Sequence, residues 1–228
     1  MSEKVYMGNA MKRLILILSI LLCLCSCAES PAKSEAVYAN EAEACVGEFL
    51  QLLGDFDTQQ AEELLLLEKD EVFFLAMDDD TTELYTWVSY DTPSLPLYLR
   101  YAAQKLSFRI TSSQVEEQRA TVKAYVKTVD GSTLLCNAYG GYKTACEAAA
   151  LNGKPLPELA AHVDEAVLSA IHTKEPAMTE RIAQFSLVKT ENGWRIRSDP
   201  SLCPLFTAGI FEKADTLKGA MKDVGLEM

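Results

Sequence analysis

The dipeptide Asn192-Gly193 lies between two runs of alternating residues, and it constrains the fold of this chain more than any other short feature. Residues 179–190 precede it and residues 193–198 follow it. Asn-Gly between two such runs is the strongest short-range signal of a β-hairpin. The two runs are therefore predicted to pair as antiparallel strands, and the alternation predicts that Trp194 faces a hydrophobic core.

A second alternating region covers about residues 106–127. Apolar residues occupy every second position in both of its halves, and a short polar connection separates the halves. An antiparallel hairpin is the simplest pairing for such a pattern. The positions predicted to face the core are Leu106, Phe108, Ile110, Val122, Ala124 and Val126, and they alternate with Ser107, Arg109, Thr111, Lys123, Tyr125 and Lys127.

Helical periodicity surrounds both strand pairs. Asn40 and Glu43 form a predicted helix cap ahead of an apolar stripe that ends at Gly54. A second helix is predicted to begin at Asp57 and to carry Leu64 and Leu65 on its apolar face. Further helices are predicted at about residues 94–105, 145–150, 156–171 and 210–224.

The order of these elements predicts an α+β fold, in which helices pack on one face of a curved antiparallel sheet of about four strands. Residues 40–228 are predicted to form a single domain. A C-terminal helical extension is expected from about residue 208.

Three segments resemble the NTF2-like (cystatin-like cone) superfamily. VGEFLQLLGDFDTQQAEELL is similar to its first helices. LSFRITSSQVEEQRATVKAYVKTVDG and FSLVKTENGWRIRSDPSL are similar to the first and last hairpins of small lipoproteins of unknown function. The resemblance covers about residues 42–208 and implies a sheet wrapped by helices into a cone. Two departures are Glu116-Glu117-Gln118 in place of a glycine turn, and Phe206-Thr207-Ala208-Gly209 in place of a Gly-Gly ending.

The N-terminal segment has the pattern of an export signal. Residues 11–27 read MKRLILILSILLCLCSC, with a basic start and a short apolar run. The tetrapeptide Leu24-Cys25-Ser26-Cys27 resembles the bacterial lipobox, which implies lipidation of Cys27 and cleavage before it. We therefore expect residues 1–27 to be a lipoprotein signal peptide and residues 28–39 to be a tether. The protein is expected on the extracytoplasmic face of the cell membrane, with the lipid as its membrane anchor.

The charge balance excludes some partners. The chain carries 21 Lys and Arg residues against 33 Asp and Glu residues, a formal net charge of −12. Without residues 1–27 the counts are 18 and 32, which gives −14. Nucleic-acid binding needs clustered cations, so no nucleic-acid partner is expected. Net charge alone also predicts that anionic lipid headgroups repel the domain.

Four cysteines follow the lipobox. Export permits disulfides, and two bridges could form in any of three pairings, but buried free thiols are expected for at least two of the four. The spacings match no CxxC metal site. The four residues are Cys45, Cys136, Cys146 and Cys203.

Candidate catalytic and metal-binding groups are few. None of the strand positions predicted to face the core is acidic, so no catalytic carboxylate is expected there. His162 and His172 lie ten residues apart on one predicted helix, about 80° apart around its axis, and are not expected to share a metal. The run Asp78-Asp79-Asp80 lacks the glycine of an EF-hand loop and is expected to be a solvated loop. We expect no cofactor and no metal.

An aromatic cluster is the candidate binding surface. Tyrosine combines a large apolar ring with a polar hydroxyl, which suits recognition of a peptide, a glycan or a partner surface. The sequence favours a non-catalytic binding or scaffold module with an unknown protein, glycan or small-molecule partner. The alternatives are a carrier of a small apolar ligand in the cone and an isomerase-like or hydrolase-like enzyme. The cluster comprises Tyr85, Trp87, Tyr90, Tyr98 and Tyr101.

Overall fold

The fold is taken from a computed structural model, in which residues 38–66, 84–86, 88–89 and 92–226 are described. These residues belong to one unit, Tyr38–Met228. The predicted signal peptide, the tether up to residue 37 and Asp78-Asp79-Asp80 lie outside the described residues. The elements are α1 Glu41–Gly54, α2 Thr58–Glu63, β1 Leu65–Leu66, α3 Leu95–Gln104, β2 Ser107–Glu116, β3 Arg119–Val129, α4 Leu134–Leu151, α5 Leu159–Ile171, β4 Met178–Thr190, β5 Gly193–Arg197, a 3₁₀ turn Pro200–Leu202, α6 Cys203–Phe206 and α7 Ala214–Lys222.

Helix α1 begins at the predicted cap. The Asn40 side chain accepts a hydrogen bond from the Glu43 amide at 3.0 Å, and the Glu43 carboxylate accepts one from the Ala39 amide at 2.9 Å. The first bond satisfies an amide that a helix start would leave without a partner, and the second ties the residue before the cap to the helix. The Asn40 side chain also donates to the Ser113 hydroxyl at 2.9 Å, which attaches the start of α1 to β2.

The sheet has five strands in the order β1-β5-β4-β3-β2. The α+β class and both predicted antiparallel hairpins are confirmed. The expected number of about four strands is one too low, because Leu65 and Leu66 pair in parallel with β5. The prediction that the second helix carries Leu64 and Leu65 is wrong, since that helix ends at Glu63 and the Ile196 amide donates to the Leu64 carbonyl at 2.9 Å.

The turn between β2 and β3 contains a glutamate in the left-handed conformation. Glu117 has φ 47°, in a region that usually favours glycine. The next carbonyl, that of Gln118, accepts a hydrogen bond from the Lys189 amide at 2.8 Å. Contact with the end of β4 therefore holds a turn that the local sequence does not favour.

Helix α1 packs on the inner face of the sheet and completes the first hydrophobic cluster. Phe49 is fully buried, and its ring meets Phe185 and Phe206 edge to face at 6.1 and 6.0 Å. Trp194 is 6% exposed, so its predicted orientation is confirmed. The other fully or almost fully buried sheet residues of this cluster are Val122, Ala124, Val126, Leu187 and Ile196, and Leu106, Phe108 and Ile110 pack against it.

Helices α3, α4, α5 and α7 form a second hydrophobic cluster with Val129 at the end of β3. Helix α4 has 18 residues, so the helix predicted at 145–150 is only its last part. Its first half buries Leu135 and Tyr139 and passes through Gly140-Gly141. Leu156, expected on the apolar face of the following helix, is 63% exposed because α5 begins later, at Leu159.

Candidate functional site

The three described members of the predicted tyrosine surface lie in or against the second hydrophobic cluster, and the Tyr98 and Tyr101 ring centroids are 6.2 Å apart. Trp87 and Tyr90 lie outside the described residues. Tyr98 is 2% exposed and belongs to the second hydrophobic cluster, so its ring is not available to a partner. Tyr85 is partly buried against Phe211, with ring centroids 5.8 Å apart. Tyr101 is also partly buried, and its hydroxyl donates to the Thr173 carbonyl at 3.3 Å.

Tyr98 lines a cavity of about 180 Å³ near the end of β3. Burial, reinforced by the nearby Tyr101 and Asp130, raises the pKa of Tyr98 to about 12, so the phenol is neutral at physiological pH. The volume is below the roughly 300–1,000 Å³ of typical ligand pockets, which limits any occupant to a very small molecule. The cavity is lined by Tyr98, Val129, Asp130, Thr133, Leu134, Asn137, Ala170, Thr173, Pro176 and Ala177.

Asp130 is the carboxylate of this cavity. The hydroxyl and amide of Ser132 donate hydrogen bonds to it and lower its pKa, and the positive charges of Lys213 and Arg181 act in the same direction. The amide bond measures 3.0 Å. A carboxylate that is ionised throughout the neutral range is a weak proton acceptor, so Asp130 is poorly suited to general acid–base catalysis.

An ion pair between Arg181 and Glu212 was not foreseen from the sequence. Arg181 lies opposite Val126 in the β3–β4 register, on the inner side of the sheet. Its side chain is 22% exposed and that of Glu212 is 33% exposed. Glu212 also approaches Gly209, so this pair fixes the segment after α6 against β4.

Among the described residues, no helix covers the opposite side of the sheet, called here the outer face. Its residues alternate with the buried positions of the strands, and Tyr125 lies between Arg109 and Ile182 in the register. Ile182 is 69% exposed. The outer face comprises Arg109, Gln114 and Glu116 on β2; Arg119, Thr121, Lys123, Tyr125 and Lys127 on β3; Glu180, Ile182, Gln184, Ser186 and Val188 on β4; and Arg195 and Arg197 on β5.

One end of the outer face contains a small charged network. Lys127 pairs with Glu180 at 3.1 Å. A hydrogen bond from Tyr125, followed by one from Lys127, lowers the pKa of Glu180, and the same bond to Glu180 raises the pKa of Tyr125. The Arg109 guanidinium lies 5.8 Å from the centre of the Tyr125 ring, within range of a cation–π contact. Tyr125 is therefore held between a cation and a carboxylate.

The remaining cations of the outer face are not neutralised in this way. Among the described residues, no ion pair involves Arg119, Lys123 or Arg197. Arg195 donates to the carbonyls of Asn192 and Trp194 at 3.1 and 2.9 Å, and neither acceptor carries a charge. The outer face therefore keeps a positive charge although the chain is strongly acidic.

Histidines and cysteines form no metal site in the described part of the chain, where no group of three or more potential ligands occurs. The four cysteines after the lipobox are free thiols, and Cys45 and Cys203 are buried. Burial raises the pKa of Cys45 to about 11, although the nearby Arg195 acts in the opposite direction.

Cys27, the predicted site of lipidation, lies outside the described residues. No helix in the described ranges has the length and apolarity needed to cross a membrane.

Comparisons with known proteins give little further information. No protein-family model matches the chain, and no curated protein matches it. Among solved structures, the chain is similar to a protein described as a lipoprotein (ycdA) from Bacillus subtilis, with 15% identity and a TM-score of 0.33. The match covers 69% of this chain and 55% of that protein, so it spans about half the length of ycdA. A similarity at this level assigns neither a fold nor a function.

Proposed function

We propose that this chain is a lipid-anchored, extracytoplasmic binding module without catalytic activity, attached to the cell membrane through Cys27. Its domain is proposed to be a variant of the NTF2-like cone, which the order of helices and hairpins supports. The observation that carries the proposal is the outer face, which no helix of the described residues covers. There Arg109, Tyr125 and Ile182 lie side by side across three strands, and Ile182 is 69% exposed. Exposed aromatic and aliphatic side chains beside cations are typical of recognition surfaces.

The packing of the inner face favours a binding module over a carrier of an apolar ligand. Phe108, Val122, Val126 and Trp194 belong to or pack against one hydrophobic cluster. Phe49 and Phe206 pack edge to face in the same cluster. Side chains of the protein thus occupy the place where a cone would hold its ligand.

Two observations on the strands and the cavity also favour a binding module over an enzyme. The inward strand positions that the sequence predicted are apolar and lie in or against the first cluster. Asp130 lines the cavity beside Tyr98, but its lowered pKa makes it a weak base.

Metabolic labelling with radioactive palmitate tests the anchor. The unchanged protein is expected to take up the label, and Cys27→Ser is expected to abolish it and to leave the precursor unprocessed. Cys25→Ser is the matched control, because it removes a neighbouring cysteine at the −2 position, which needs only a small residue. Labelling of the Cys27→Ser protein would refute the anchor.

Native mass spectrometry of residues 28–228, which lack the lipidated Cys27, purified gently from the producing cells, tests the binding mode. A mass equal to that of the chain supports a module that binds through its surface. A discrete additional mass that disappears on denaturation would favour the carrier. It would refute the claim that side chains of the protein fill the place where a cone would hold a ligand.

A further inference from the structure

We propose that the outer face docks on the surface of an anionic phospholipid bilayer. The proposal names the partner of the binding surface and rests on the proposed membrane attachment. It reverses the expectation, drawn from net charge, that anionic headgroups repel this domain.

The first reason is the distribution of charge. The outer face carries six basic residues, Arg109, Arg119, Lys123, Lys127, Arg195 and Arg197. It carries two acidic residues, Glu116 and Glu180, whereas the whole chain has 33 acidic against 21 basic residues. Salt screens charges beyond about 8–10 Å, so a bilayer in contact with the sheet responds mainly to the charges of that face. The acidic remainder of the domain favours the orientation in which it points away from the bilayer.

The second reason is the availability of the cations. Arg119, Lys123 and Arg197 take part in none of the ion pairs formed among the described residues. Lys and Arg donate charge-assisted hydrogen bonds to phosphate, and each contributes appreciably to the attraction to an anionic bilayer. No carboxylate has to be displaced before these three side chains can contact headgroups.

The third reason favours a bilayer over a soluble polyanion. Val188 lies between Arg119 and Arg195 in the register, and Ile182 lies beside Tyr125. Tyrosine is enriched at the headgroup level of membranes, and exposed aliphatic groups gain free energy by entering the headgroup–acyl boundary. A soluble anionic polymer would give Ile182 no such apolar environment.

The fourth reason is the reach of the proposed tether. The described chain starts at Tyr38, and the Asn40 side chain is bonded to Ser113 on β2, an edge strand of the sheet. Residues 28–37 span at most roughly 36 Å when extended. Neighbouring strands are only about 4.8 Å apart, so the tether is long enough to reach around the edge of the sheet. The outer face can therefore contact the same bilayer that holds the lipid.

Vesicle flotation tests the proposal with residues 28–228, which retain the whole unit Tyr38–Met228 but lack the lipid. The chain is expected to float with phosphatidylcholine vesicles that contain one-third phosphatidylglycerol, and not with phosphatidylcholine alone. High salt is expected to release it. The triple variant Arg119→Gln/Lys123→Gln/Arg197→Gln is expected to partition about 100-fold more weakly, which corresponds to about fivefold per cation.

The matched control removes three exposed lysines outside the sheet, as Lys154→Gln/Lys174→Gln/Lys222→Gln. It changes the net charge by the same amount. This control is expected to bind anionic vesicles somewhat less tightly than the unchanged chain, and its loss of binding is expected to be much smaller than that of the first variant. Equal losses in the two variants would overturn the proposal. So would equal binding to neutral vesicles, or a soluble poly(glycerol phosphate) that binds the chain more tightly than vesicles do. Far-ultraviolet circular dichroism confirms that both variants are folded.

The vesicle and palmitate experiments test two separate claims, the docking surface and the lipid anchor. Palmitate labelling without vesicle binding would refute the docking surface and leave the anchor intact. Vesicle binding by a chain whose Cys27 takes up no palmitate would refute the anchor and leave the docking surface intact.

Discussion

Gly131 provides a direct test of how the segment after α6 packs against the end of β3. A Cβ atom added at this position would lie 2.8 Å from the Ala208 carbonyl oxygen, 2.9 Å from Cγ1 of Ile210 and 3.0 Å from the Tyr98 hydroxyl. The Gly131 amide donates to that same Ala208 carbonyl at 2.8 Å. The conflict therefore involves main-chain atoms rather than the flexible end of a side chain.

The expected cost of Gly131→Ala follows from these contacts. Overpacking of this kind costs roughly 1–3 kcal/mol, and weakening a buried hydrogen bond adds about 1 kcal/mol. Ala208 cannot move away freely, because it is 1% exposed and already adopts the left-handed conformation with φ 51°. We expect the free energy of unfolding to fall by about 3 kcal/mol. For a domain of this size that lowers Tm by roughly 6–12 °C.

Gly140→Ala is the matched control, because the same substitution should act in the opposite direction there. Gly140 lies inside α4, and a Cβ atom at that position meets nothing within 4 Å. Alanine favours helix over glycine by about 0.5–1 kcal/mol, so this variant should be more stable. Urea unfolding followed by circular dichroism measures both changes. A Gly131→Ala protein as stable as the unchanged chain would show that Ala208 and Ile210 do not pack on this turn.

Three further predictions concern the core, the acid side of the stability curve and the thiols. Phe49→Ala should lower the free energy of unfolding by roughly 3–5 kcal/mol in urea titrations, because the fully buried ring contacts two others edge to face. Asp130 has a pKa below the ordinary 3.8, so it stabilises the fold above that pH and the stabilisation is lost as the pH falls through its folded pKa. Ser132→Ala removes the largest cause and should move the Asp130 titration, followed by carboxyl NMR, towards the ordinary value. Cys45, with a pKa of about 11, should react with iodoacetamide at neutral pH more slowly than the partly exposed Cys146, as read by peptide mass spectrometry.

Local sequence patterns were sufficient to predict elements whose determinants lie within a few residues. The Asn40–Glu43 cap depends on side chains that are readable in the sequence. Asn192-Gly193 correctly predicted the hairpin, although the connection consists of Glu191 and Asn192, and Gly193, with φ 97°, is the first residue of β5. Strand β1 was missed because Leu64 and Leu65 continue the apolar pattern of the preceding helix, and only pairing with β5 makes Leu65 and Leu66 a strand. Tertiary hydrogen bonds decide such short segments, and no local pattern reports them.

The candidate site was predicted less well than the fold. The positions of Tyr98, Leu99 and Ala102 at helical spacing indicate a buried stripe, and Tyr98 is indeed buried in it. The cations of the outer face were visible as the alternate residues of three strands. Their convergence on one surface depends on the register between β3, β4 and β5, which the sequence does not encode locally. A net charge of −14 without residues 1–27 averages over this surface and conceals it.

A substitution at Ile182 tests whether apolar contact contributes to binding of the outer face to a bilayer, or whether the cations alone account for it. Partial insertion of this side chain at the headgroup level is worth roughly 1 kcal/mol, less than the 1.5–3 kcal/mol of full burial. Ile182→Ser should therefore weaken partition into phosphatidylglycerol vesicles about fivefold, with little loss of fold stability because the side chain is 69% exposed. Leu156→Ser is the control, since Leu156 is similarly exposed at 63% but lies outside the sheet, and its replacement should leave partition unchanged. If Ile182→Ser binds as tightly as the unchanged chain while the triple cation variant does not, the cations contact lipid from an orientation in which β4 does not face the bilayer.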